Sequence, residues 1–351
     1  MIDIFCTKDS LEFIFDEYRR LRSPERILED NDGSSQTVEG FYDVILSKAN
    51  LVTNISIDEL IELSKSNPFF KYLVKRSQTG GSRICDQGFH ETVLNNQFND
   101  FPRALFLLDI SEKECKELED RFGLLFLCKN NLIEKSRFLF ASEVIPVGDM
   151  AKKETTLNNW QEFAKFKHPF NSLIIIDNYF WKDESEISSL VPLLKSILPD
   201  QLSDQKTDFH LTLITYDAEI KTEQSIEARR KEFQEKINNL LYRPFRIKTS
   251  IIKHNVIDKN HDRNILTNYV WFHSGHSFDY FKEIENKNYP GLPKTETKRT
   301  TTLFINGIAH NSISFNSSKS WVVDGYDQVL GRAKNWYGEK LKSTNFNRLL
   351  E

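Results

Sequence analysis

Cysteine is scarce in this chain and confined to its first part: Cys6, Cys85, Cys115 and Cys128 are the only four in 351 residues. No pair has Cys-x-x-Cys spacing, which argues against a disulfide framework or a closed cysteine zinc site and predicts reduced thiols in an intracellular protein. Long apolar runs are missing too, and none approaches the roughly 18 to 20 residues of a membrane span. The opening Met1-Ile2-Asp3-Ile4-Phe5-Cys6 lacks the basic start and extended apolar core of a secretory signal. No polybasic run or basic amphipathic helix suggests a lipid surface, and neither an internal repeat nor a low-complexity segment is present. Together these absences predict a cytoplasmic protein without a transmembrane segment.

The residues present describe a folded chain. Hydrophobic residues make up 39% and charged residues 28%, a globular balance, and the length favours two domains over one core. The net charge of −4 hides an asymmetry: residues 1–150 hold 18 basic and 26 acidic side chains, residues 151–351 hold 29 and 25. The second part is therefore mildly basic, which permits an anionic partner there.

Short apolar runs alternate with helical patterns along residues 1–150. Strands are expected near 1–6, 50–54, 104–109 and 123–128, with helices at 10–21, 57–64 and 111–121, an alternation that predicts a parallel α/β sheet. A stretch of weak periodicity at 148–156 places the domain boundary near residue 150. Trp160, Phe163 and Phe166 then suit a short helix. Further strands are expected at 172–181, 209–216, 245–253, 269–273, 301–308 and 312–315, with helices at 187–198, 225–241 and 326–341. The second part should form one mixed sheet flanked by helices, with strand 172–181 beside strand 269–273.

The most informative stretch is Asn260-His261-Asp262-Arg263-Asn264-Ile265-Leu266-Thr267-Asn268, followed at Gly275 by Gly-His-Ser-Phe-Asp-Tyr-Phe. His261, Arg263, Asn268 and Gly275 occupy the spacing of a phospholipase D-type motif, in which a His, a Lys, an Asp and a Gly stand at those four places. The stretch resembles that superfamily, and is most similar to the C-terminal domain of the MIT-domain-containing proteins of endosomal sorting. Ser172-Leu-Ile-Ile-Ile-Asp177-Asn178-Tyr179-Phe-Trp resembles the opening strand of that domain, with Asn178 in place of its usual Pro. The resemblance covers about residues 165–335 and implies a phospholipase D-like fold in which Asp177, Tyr179, His261, Arg263, Asn268 and His276 border one ligand cleft.

Two substitutions change the chemistry that the resemblance implies. The His is the nucleophile that attacks phosphorus, the Lys neutralises phosphate oxygens, and the Asp orients a partner imidazole. Arg263 retains phosphate affinity and gains bidentate geometry, whereas Asn268 has no charge with which to stabilise an imidazolium. The chain also holds one copy of a motif that active enzymes use in pairs, so catalysis by His261 would require a homodimer. The expected function is recognition of a phosphate-bearing partner, with nucleic acid preferred over lipid and no cofactor. Two alternatives stand beside it: an adaptor for anionic membranes, as the sorting-pathway resemblance implies, and a dimeric nuclease or phosphodiesterase.

Other groups carry weaker signals. His254, His261, His273 and His276 fall within 23 residues, but their spacing matches no closed zinc pattern and no metal is expected. Asp9, Asp58, Glu59, Glu62 and Asp109 stand near strand or helix starts, an arrangement that faintly resembles PIN-type nucleases, where such acids gather divalent metal. Helix capping accounts for these acids more simply.

Overall fold

The computed structural model describes residues 2–22, 34–47, 49–85, 88–145, 159–181, 184–204, 207–255, 263–275, 278, 280–285, 293–299, 302–309, 325–343 and 346–351. Its architecture is α/β with two main sheets, one parallel and one mixed.

The first sheet contains β1 (Ile2–Cys6), β2 (Ala49–Thr53), β3 (Arg83–Cys85), β4 (Leu105–Leu107) and β5 (Phe126–Leu127), in the order β3-β2-β1-β4-β5. Every pairing in it is parallel. Parallel neighbours need crossovers, and helices supply them: α1 (Lys8–Leu21), α2 (Ser34–Ser47), α3 (Ile57–Ser66), α4 (Pro68–Gln78), α5 (Phe89–Leu94) and α6 (Glu112–Phe122), while α7 (Leu132–Phe140) leads from β5 toward the second sheet. Thr7, Ser56 and Ser111 cap α1, α3 and α6 through side-chain oxygens, and Ser111 with Glu114 forms a full capping box. Such caps satisfy backbone N–H groups that the first helical turn leaves open. Asp9, Asp58 and Glu59 occupy first turns of these helices, where negative charge complements the helix dipole.

The second sheet has the order β6-β14-β11-β10-β7-β8-β9. Its strands are β6 (Ser142–Ile145), β7 (Ser172–Ile176), β8 (Phe209–Thr215), β9 (Ile247–Lys253), β10 (Arg263–Thr267), β11 (Val270–Ser274) and β14 (Leu303–Gly307). β7, β8 and β9 run parallel, while β10, β11, β14 and β6 join antiparallel. A separate hairpin pairs β12 (Phe281–Glu285) with β13 (Pro293–Arg299). Helices α8 (Glu184–Ile197) and α9 (Glu223–Leu241) link the parallel strands, and α10 (Tyr326–Glu339) follows β14 in the chain. The aromatic triplet 160, 163 and 166 lies in a 3-10 helix, Trp160–Phe166, with Phe163 and Phe166 buried.

One expected adjacency is corrected. Strand 172–176 does not lie beside 270–274, because the motif stretch 263–267 forms β10 between them. Arg263–Thr267 reads as a turn by its polar letters, yet all five residues are buried. Ile265 and Leu266 give it apolar contacts on both faces, as an interior strand needs. The turn is confined to Asn268 and Tyr269. The expected strand at 312–315 lies outside the described residues.

The chain enters the second sheet at β6, before the weakly periodic stretch at 148–156, which lies outside the described residues. A single buried hydrophobic cluster runs from Ile2 to Leu350 and includes both sheets. Polar contacts reinforce this junction. The Tyr269 hydroxyl accepts from the Leu125 N–H and donates to the Ala104 carbonyl, each at 3.0 Å. Gly307 N–H donates to the Ala141 carbonyl at 2.9 Å. A Cβ on Gly307 would lie 2.1 Å from the Phe138 carbonyl oxygen, so this close backbone approach requires glycine.

Candidate functional site

Register brings two of the predicted residues together. Ile176, the last residue of β7, is opposite Asn264 on antiparallel β10, so the next residue along β7 meets the first residue of β10. Arg263 Nε accordingly donates to Asp177 Oδ2 at 3.0 Å, with side chains 8% and 3% exposed. The other Asp177 oxygen accepts from the Tyr179 N–H at 2.9 Å, an Asx turn that ends the strand. This turn carries the Tyr179 ring to 5.3 Å from the Arg263 guanidinium carbon, within cation–π range. Burial holds the Asp177 carboxyl above its ordinary pKa, opposed by Arg263 and the Tyr179 N–H.

The adjoining strand extends this polar end of the sheet. Asn264 Oδ1 accepts from Trp271 Nε1 at 2.8 Å and from His273 Nδ1 at 3.0 Å. His273 also contacts the rings of Trp271 and Phe304. Gly275 follows Ser274, which pairs with Arg263, and open space surrounds the position a Cβ would take there. Asn264 and Trp271 were not candidates in the sequence; their signal was the spacing of Asn264, Trp271 and His273 across a tight hairpin.

Asn268 is at the other end of β10, five residues on, or about 16 Å at strand spacing. It is fully buried. Its Oδ1 accepts from Asn171 N–H at 3.1 Å and Ser172 N–H at 3.0 Å, while Nδ2 donates to the Pro102 carbonyl and to Asn171 Oδ1. Asn268 thus joins the start of β7 to the loop that precedes β4 and is not beside Arg263. His261 and His276 lie outside the described residues.

The histidines and acids remain dispersed. The His254 ring Nδ1–H donates to the Asn255 carbonyl at 2.8 Å, and the ring packs edge-on against Trp336. Glu59 pairs with Lys8, Glu62 with Lys65, and Asp109 with Lys129. Among the described residues no group of three or more His, Cys, Asp or Glu side chains is placed to hold a metal.

A cleft of about 940 Å³ lies near the junction of the sheets, lined in part by Glu119, Lys135, Phe138, His168 and Pro199. It contains neither Arg263 nor Asp177, and its ion pairs include Lys135 with Glu119 and Lys167 with Asp200. His168 is enclosed, its Nδ1–H on the Phe166 carbonyl at 2.6 Å and Nε2 against Thr267 Oγ1 at 2.9 Å. Burial lowers its pKa to about 4, so it is a neutral packing residue at physiological pH. No helix among the described residues is long and apolar enough to cross a membrane. A scan against protein-family models and a search of curated proteins each found no match to this chain.

Proposed function

We propose that this protein recognises a phosphate-bearing partner, with nucleic acid preferred over lipid, through a phospholipase D-like unit whose catalytic motif has degenerated. In this reading residues 151–351 form the phospholipase D-like domain, with β6 from the preceding segment added at the edge of its sheet, and the rest of residues 1–150 forms an α/β domain with a PIN-like plan. The observation that carries the reading is the fixed guanidinium at the ends of β7 and β10. Asp177 holds Arg263 through Nε and Tyr179 covers it, so the charge is oriented before any ligand arrives. Preorganisation of this kind reduces the cost of binding, and guanidinium geometry suits phosphate oxygens. Asn268 supports the non-catalytic side of the reading, since its amide is committed to backbone groups at the far end of β10.

Titration with single-stranded and duplex oligonucleotides, beside vesicles rich in phosphatidylserine, tests the choice of partner. Nucleic-acid binding that weakens steeply with salt supports the reading. Binding to anionic vesicles alone would replace it with the membrane adaptor, and steady release of cleaved product would replace it with the nuclease.

A further inference from the structure

A basic surface lies at the opposite end of the same sheet from the buried Arg263–Asp177 pair. β9 is the edge strand, and its first residues face the last turns of α9 across a cleft of about 670 Å³. That volume is within the range of small-ligand sites, roughly 300–1,000 Å³. Its lining includes Arg230, Tyr242, Arg243, Phe245, Arg246 and Lys248, and contains no carboxylate. The segment Tyr242-Arg243-Pro244-Phe245-Arg246 alternates aromatic and basic residues, a signal that the strand and helix patterns of the sequence obscure.

The four cations are not equally committed. Lys248 pairs with Asp208 and Arg230 with Glu227. Arg243 and Arg246 each stand 3.8 Å from their nearest carboxylates, Asp200 and Asp208, too far for a hydrogen bond. Arg243 donates to the Lys195 carbonyl at 2.9 Å, while its Nε is buried without a hydrogen-bond partner. Arg246 is 77% exposed along its side chain. Complementing the negative end of the α9 dipole accounts for a cation just past the helix C-terminus, such as Arg243, but not for Tyr242 between the helix and that cation. Tyr242 ends α9 with φ +46° and is 82% exposed. A residue with a Cβ is disfavoured in that left-handed conformation, and solvent exposure gives its ring no packing in return.

We propose that this cleft binds single-stranded nucleic acid, with phosphates against Arg243 and Arg246 and one unstacked base on the Tyr242 ring. Cations tracking a backbone beside an aromatic platform are the physical requirements of such binding. An isolated tyrosine suits one base better than a bilayer, which favours a broader apolar face. The inference deepens the proposed function and rests on its choice of nucleic acid, but not on Arg263.

The test is fluorescence anisotropy of the full chain with labelled oligothymidylate and oligouridylate of about 12 nucleotides, a length within the usual range of single-strand sites. Tyr242→Asn keeps a residue that tolerates the left-handed backbone and removes the ring; it should weaken binding about tenfold and leave the salt dependence unchanged. The double variant Arg243→Ala/Arg246→Ala should weaken binding at least tenfold and reduce the slope of log K against log salt by about 1.4. Unchanged thermal midpoints by circular dichroism certify each fold, and Arg246→Ala alone, at an exposed position, replaces the double variant should that variant unfold.

Separate outcomes distinguish this cleft from the Arg263 site. Binding lost in Arg263→Ala/Asp177→Ala but retained in the cleft variants overturns this inference and leaves the proposed function standing. The reverse supports the cleft and removes Arg263 from recognition. No binding of the parent to either oligonucleotide, or vesicle binding with the same dependence on Tyr242 and Arg246, overturns the inference.

Discussion

Arg263 and Asp177 form a buried ion pair at 3.0 Å between the first residue of β10 and the residue that follows β7. Removing one partner leaves the other charge buried and alone, which costs about 3–5 kcal/mol. Arg263→Ala and Asp177→Ala should therefore each be strongly destabilising, whereas the double variant should lose much less. A double-mutant cycle of denaturant midpoints measures this coupling, and simple additivity would show that the pair contributes nothing specific.

Asn268→Asp would place at this position the acid that a phospholipase D-type motif carries, yet it should harm the fold. The new carboxylate would keep the N–H bonds from Asn171 and Ser172 but turn an oxygen toward the Pro102 carbonyl and Asn171 Oδ1, where the amide now donates. Loss of buried donors and added repulsion should cost about 2–4 kcal/mol. Chemical denaturation reads the change directly; a stable variant with new hydrolytic activity would contradict the placement of Asn268.

The junction between sheets provides a backbone test. Gly307→Ala would bring a Cβ against the carbonyl oxygens of Phe138 and Leu139, and neither backbone group can rotate away as a side chain would. The expected loss exceeds about 3 kcal/mol. Tyr269→Phe leaves the Leu125 N–H and the Ala104 carbonyl without their hydroxyl partner and should cost about 1–3 kcal/mol. Wild-type thermal midpoints in both variants would show that this junction does not hold the sheets together.

Acid should destabilise the protein through two buried histidines. Burial lowers His168 from 6.5 to about 4 and His210 from 6.5 to about 3. A depressed folded-state pKa contributes stability that is complete above 6.5 and is lost as pH falls toward the folded value. Each histidine then steepens the loss by about 1.4 kcal/mol per pH unit between 6.5 and 4. Asp177 and Glu119 act with the opposite sign, since their raised pKa values favour the folded state as they protonate. Comparison with His210→Leu isolates one histidine: its unfolding free energy should fall less steeply with acid, and a slope equal to the parent's would remove His210 from the account.

Much of the framework was legible because apolar periodicity survives in the long elements. Phe209–Thr215 and Ser172–Ile176 are wholly buried and read as interior strands, and the caps at Ser56 and Ser111 are local signals. β10 was not legible, because Arg263, Asn264 and Thr267 look like loop residues until Asp177, Trp271 and neighbouring strands satisfy them. β3 and β6 are short edge strands of three and four residues, too brief to show a period. At the candidate site, Asp177, Tyr179 and Arg263 meet through the register of β7 against β10 and the Asx turn at Asp177. The distance of Asn268 from Arg263 depends on β10 being extended, which its letters conceal.

The most direct test of the central claim is the affinity of the Arg263→Ala/Asp177→Ala double variant for a labelled single-stranded oligonucleotide, with cleavage followed in the same samples. The double change removes the guanidinium without stranding a buried carboxylate, so binding is read separately from folding. Phosphate recognition by Arg263 predicts a loss of about 1.5–3 kcal/mol in binding, roughly 10- to 150-fold, and no product from parent or variant. Parent-like affinity in a folded double variant, or cleavage by the parent that His261→Ala abolishes, would contradict it.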